Sequence, residues 1–122
     1  MCPQKERRQF KRFRPKDGTM AVNTHALGPV IDISMGGLAF RYTVDDASQP
    51  ISDYLGIFLS SDDILIDRLL TKLISDEFIS HSSSFLTTST RKRSVQFLNI
   101  TDTQRKSLEN FIAKKTQKNL LS

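Results

Sequence analysis

The sequence predicts a mainly β domain that ends on one C-terminal helix. Short segments in which apolar and polar residues alternate recur through the first half of the chain, as half-buried strands require. Turn signals separate them: Asp17-Gly18, Gly28-Pro29, Gly36-Gly37 and Ser60-Ser61-Asp62-Asp63. Near the other end, Thr101 and Gln104 have the spacing of a capping box, ahead of Leu108, Phe111 and Ile112 at i, i+3 and i+4.

Taken in order, residues 1–14 lack apolar periodicity and are expected to form an extended, mobile arm, with Pro15 biasing Arg14 away from helix. Residues 19–24 are expected as a first strand with Met20 and Val22 on one face. Gly28-Pro29 is expected to break the chain before a short strand over 30–33. Period-2 alternation there sets Asp32 and Ser34 on one side and Ile31 and Ile33 toward the core. Residues 38–43 alternate strictly, with Leu38, Phe40 and Tyr42 apolar. A polar loop over 45–53 leads to a strand over 54–59. Residues 64–75 suit both helix and strand, because Ile66, Leu69, Leu70, Leu73 and Ile74 make a helical stripe. Residues 80–90, rich in Ser and Thr, are expected as a long loop. Arg91-Lys92-Arg93 is expected as a solvated run before a strand over 94–100. The helix is expected to continue to about Lys115, where Lys114, Lys115 and Lys118 complement its dipole.

The chain has 122 residues, of which 38% are hydrophobic, enough for one domain with one modest core. Its net charge of +5 is uneven. Residues 1–16 hold seven basic side chains against one acid, a net of +6, whereas the other 106 residues sum to −1. The basic character belongs to the arm and implies an anionic partner. No apolar run reaches the roughly 18 residues of a membrane span, and no apolar leader segment follows the N-terminal charges. With Cys2 as the one cysteine, a reducing, cytoplasmic setting is expected. No Ser-His-Asp, Cys-His or metal-ligand set emerges, so an enzyme is not expected, nor is a bound cofactor or metal.

Two short segments carry the chemistry. Arg8 and Arg12 form R-x-x-x-R, with Arg7 just before it, and Asp32, Ser34 and Gly37 form D-x-S-x-x-G, with Gly36 beside the last position. Guanidiniums match phosphate and the O6/N7 edge of guanine bidentately, and a carboxylate accepts from the donor edge of the same base. Ser34 offers a hydroxyl to phosphate or to the turn backbone. Gly36 and Gly37 are expected to supply positive φ or close backbone approach. Each pattern alone is weak, but together, in this order and with a strand between them, they suggest a receptor for a small guanine nucleotide.

The pair closely resembles the signature of the PilZ family of cyclic di-GMP receptors. Ser94-Val95-Gln96-Phe97-Leu98-Asn99-Ile100 and the helix after it are similar to that family's last strand and closing helix, so the resemblance extends from about Glu6 to Lys114. It implies a small antiparallel six-stranded β-barrel over 15–100, a C-terminal helix over 101–116 and a basic ligand-binding arm over 1–14. It also implies strand, not helix, over 64–79. The implied ligand contacts are Arg7, Arg8, Arg12, Asp32, Ser34, Gly36 and Gly37. An arginine at the position of Arg7 implies two stacked, intercalated ligands. The implied role is a bacterial adaptor whose arm is ordered by cyclic di-GMP and which then meets a downstream protein. A nonspecific nucleic-acid-binding barrel and a ligand-independent interaction barrel are the competing readings. The aromatic residues follow apolar alternation and do not form an exposed stacking row, which disfavours nucleic acid.

Overall fold

The computed structural model describes residues 11–23, 26–44, 53–81, 89–114 and 116–121. Eight strands and one helix follow in the order β1 (Arg12–Pro15), β2 (Met20–Val22), β3 (Leu27–Ser34), β4 (Gly37–Val44), β5 (Tyr54–Leu59), β6 (Ile64–His81), β7 (Ser89–Leu98), α1 (Asp102–Lys114) and β8 (Thr116–Leu121). Six of them close into an antiparallel barrel in the order β2-β5-β6-β7-β4-β3, the ring being completed where β3 returns to β2. Strand β3 divides its pairing. Its first half, Leu27 to Pro29, meets β2, and Ile33 meets Phe13 of β1, which carries β8 on its far side.

Several sequence expectations change here, and β-bulges account for most of the changes. On β3, Val30 faces Phe40 and Asp32 faces Ala39, so Ile31 is an extra residue. Such an insertion offsets the alternation by one. Val30 and Ile33 therefore enter the core while Ile31 is only half-buried, in place of the expected Ile31/Ile33 pair. On β6, the four residues from Ile66 to Leu69 oppose the three from Leu55 to Ile57 on β5, and Arg68 has φ 57°. Further extra residues, Ile74 and Ile79, interrupt the pairing with β7. The first of these insertions places the buried Ile66 and Leu69 three apart, a spacing that mimics a helical stripe. Residues 64–79 are strand throughout.

The remaining differences lie at element ends. Gly28-Pro29 does not break the chain but sits inside β3. The missing amide of Pro29 is tolerated because the next one, of Val30, donates to Thr19 O at 3.0 Å. On β2, Ala21 is the buried residue while Met20 is half-buried and Val22 is exposed, so the shared face of Met20 and Val22 is the outward one. Of the expected loop over 80–90, Ser80 and His81 belong to β6 and Ser89 and Thr90 to β7, and residues 82–88 lie outside the described residues. Within the expected arm, Arg12, Phe13 and Arg14 belong to β1, which ends on the buried Pro15, and residues 1–10 lie outside the described residues.

The core gathers Ile33, Phe40, Ile57, Leu59 and Leu69 from the strands with Leu108 and Phe111 from α1. The capping box forms as expected: Gln104 N–H donates to Thr101 Oγ1 at 3.1 Å, and Thr101 N–H donates to Gln104 Oε1 at 2.9 Å. Gln104 Nε2 also donates to the carbonyls of Asp67 and Arg68, both at 3.0 Å. The start of the helix thus satisfies backbone groups that the β6 irregularity exposes.

Candidate ligand-binding site

The extra residue at Ile31 determines what β3 presents outward. Past it, Ile33 is fully buried, so Asp32 and Ser34 face away from the core, as expected. Ser34 Oγ accepts from Gly36 N–H at 3.1 Å and donates to Gly37 O at 3.4 Å, so its hydroxyl holds the β3–β4 turn. These are the backbone contacts expected for Ser34.

Gly37 lies opposite Gln96 on β7. A Cβ built on it would lie 2.1 Å from Val95 O and 3.1 Å from Gln96 Cα. Among the described glycines positive φ belongs to Gly18, at 94°, and not to Gly36 or Gly37. Close approach, not left-handed backbone, is what demands glycine at 37, which corrects half of the expectation for this turn.

Strand β1 brings the other half of the motif to the same place. With Phe13 opposite Ile33, Arg12 falls beside the end of β3. Its Nη1 stands 3.8 Å from Asp32 Oδ2, with the arginine side chain 37% exposed and the aspartate 11%. That distance is an ion pair without a hydrogen bond, so both groups keep hydrogen-bonding capacity for a third partner. Arg7 and Arg8 lie outside the described residues.

The register adds residues that the motif does not name. Asp32 pairs with Ala39, and Ala39 with Ser94 on β7. Ala39 is 2% exposed yet stands apart from the core cluster that holds its neighbours Leu38 and Phe40. Gly37, Ala39 and Ser94 thus make a floor of small residues beside Asp32. Nothing in one-dimensional spacing marks Ser94, because its relevance comes from a partner 55 positions away.

Arg91-Lys92-Arg93 differs from the expected solvated run. Arg91 Nε donates to Asp76 Oδ1 at 2.5 Å, and the Tyr42 hydroxyl donates to Asp76 Oδ2. Arg93 Nε lies 3.2 Å from the same oxygen, but it is buried and misaligned for a hydrogen bond, so that contact is coulombic. Burial, reinforced by the bond to Asp76, pushes the Tyr42 phenol up to about 12. The hydrogen bond to Asp76 raises the Arg91 pKa. Elsewhere, a groove over β2, β5 and β6, lined by Val22, Tyr54, Leu55 and Arg68, contains none of the expected site residues.

No family model matches the chain, and no curated protein matches it. Among solved structures, the chain is similar to the PilZ domain of YcgR from Escherichia coli, described with c-di-GMP. The TM-score is 0.65 and the identity 18%, over 90% of this chain and 92% of that one. The closed six-stranded barrel with its C-terminal helix is a PilZ-type fold. Among the described residues, no helix is long and apolar enough to cross a membrane.

Proposed function

We propose that this chain is a cyclic di-GMP receptor acting as a non-enzymatic adaptor. The observation that carries the reading is the meeting of Arg12 and Asp32. Two residues twenty positions apart, one from each half of the motif, stand 3.8 Å apart on an outward face beside the turn held by Ser34. In this reading Arg12 and Arg8 take phosphate and the Hoogsteen edge of guanine, Asp32 accepts from the base's N1 and exocyclic amine, and Ser34, Gly36 and Gly37 keep the turn close to the ligand. Arg7 offsets the charge of a second, intercalated nucleotide. The similarity to a PilZ domain described with c-di-GMP supports the same ligand class.

The nucleotide orders the arm N-terminal to β1 across the barrel, and the new surface engages a downstream protein in the cytoplasm. Calorimetry with cyclic di-GMP, with GTP and cyclic di-AMP as controls, tests the reading. Selective binding at two nucleotides per chain is expected, and Arg12→Ala weakens it by about tenfold to a hundredfold, the discrimination of one bidentate contact. The same substitution costs under about 1 kcal/mol of stability, because the pair is partly exposed and loosely spaced. Equal binding of all three nucleotides, or wild-type affinity in Arg12→Ala, refutes the assignment. One nucleotide per chain refutes the intercalated pair alone.

A further inference from the structure

We propose that Arg41 and Lys92 form a second anion contact on the outer face, taking a phosphate of the bound cyclic dinucleotide. The inference rests on the receptor reading above. On β4, Leu38, Phe40 and Tyr42 enter the core, so Arg41 between them faces outward and is exposed. Lys92 lies directly opposite it on β7. Directly opposed side chains of an antiparallel pair have Cβ atoms about 5 Å apart, and like charges there are destabilising.

The flanking cations of the same strand make a contrast. Arg91 and Arg93 are directed to the other face, where both lie against the carboxylate of Asp76. The ion pairs of Asp76 reach neither Arg41 nor Lys92. The next residue across the sheet is Glu77, opposite Lys92. Yet the ion pairs of the described residues, Arg12 with Asp32, Lys16 with Asp62, and Arg91 and Arg93 with Asp76, include none of Arg41, Lys92 and Glu77. Among the described residues, the sheet thus holds two cations side by side with no carboxylate in ion-pair contact, an arrangement preorganised for an anion.

Its position selects the anion. Arg41 is two residues along β4 from Ala39, the partner of Asp32, which is about 7 Å at the usual strand rise. The small floor residues Ala39 and Ser94 lie along this path. A cyclic dinucleotide carries two phosphates on opposite sides of its ring. With one phosphate at Arg12 and the ring over the small floor, the other reaches Arg41 and Lys92.

The test uses the whole chain, with calorimetry against cyclic di-GMP and thermal melts without ligand. Arg41→Gln and Lys92→Gln are each expected to weaken binding about tenfold, the effect of one charge-assisted contact. The unliganded melting temperature is expected to stay level or rise for Arg41→Gln, where a like-charge pair is relieved, and to stay level for Lys92→Gln, which also loses the charge opposite Glu77. Lys106→Gln, an exposed position on α1, leaves affinity unchanged. If the wild type binds but both variants bind within about twofold of it, the second contact is refuted and the receptor reading stands. Weaker binding accompanied by a lower melting temperature also overturns it, as a packing effect, and so does an equal loss in Lys106→Gln, as a general charge effect. A wild type that does not bind cyclic di-GMP overturns both readings.

Discussion

Replacing Gly37 by alanine tests whether the site is built on backbone contact. The added Cβ would sit 2.1 Å from Val95 O and 3.1 Å from both Val95 C and Gln96 Cα. Favourable carbon contacts begin near 3.5 Å, so β4 and β7 must separate by about 1 Å. All three atoms belong to the backbone, and no side-chain rotation relieves the clash. The adjoining bond from Phe97 N–H to Gly36 O, 2.8 Å long, stretches with the separation. Overpacking of about 2 kcal/mol with about 1 kcal/mol for the weakened bond gives roughly 3 kcal/mol. With a urea slope near 2 kcal/mol/M, the midpoint falls by about 1.5 M. Urea denaturation followed by circular dichroism reads this directly. A second variant separates close approach from backbone freedom. Asparagine tolerates positive φ better than alanine does, so it would recover stability if conformation were the constraint. Here Gly37→Asn is expected to be no better than Gly37→Ala. A midpoint shift under about 0.3 M for alanine, or a clear rescue by asparagine, refutes the close-approach account.

Two further predictions concern the frame around the site. Thr101→Ala removes the hydroxyl that accepts from Gln104 N–H and lowers stability by about 1 kcal/mol in a thermal or urea melt. Tyr42, raised from 10.0 to about 12, favours the folded state below pH 10 and loses that contribution as pH climbs through 12, because the unfolded phenol ionises first. Ultraviolet difference titration therefore finds a phenol ionising near 12 that disappears in Tyr42→Phe. A Tyr42→Phe titration identical to the wild type contradicts the burial of this hydroxyl against Asp76.

The parts of the fold legible from sequence are those where one strand keeps one period. Strand β4 alternates without interruption, and its inward Leu38, Phe40 and Tyr42 follow. Strand β5 matches its expected limits of 54 and 59. Residues 101 and 104 place the helix start because the capping box is a local exchange of two hydrogen bonds. Legibility fails where an extra residue is inserted. Ile31, Ile74 and Ile79 are apolar, so they join a hydrophobic pattern while standing outside the register. Strand β8 escapes because Thr116–Leu121 continues the polar composition of the helix end and owes its strand state to pairing with β1. In the candidate site, the motif points to Arg12, Asp32, Ser34 and Gly37. Ala39, Ser94, Arg41 and Lys92 join them only through cross-strand pairing, which carries no signature along the chain.

The divided pairing of β3 separates two hydrogen-bond systems. The barrel ring closes through the first half of β3 and β2, without β1 or β8. The β1–β8 ribbon hangs from the second half, and Arg12 rides on it. Peeling that ribbon away breaks no rung of the ring. Its amides are therefore expected to exchange with solvent by local opening, far faster than those of β4 and β7, which exchange only when the barrel itself unfolds. A site jointed in this way resembles a latch on a closed box: the catch opens and shuts many times while the box keeps its shape.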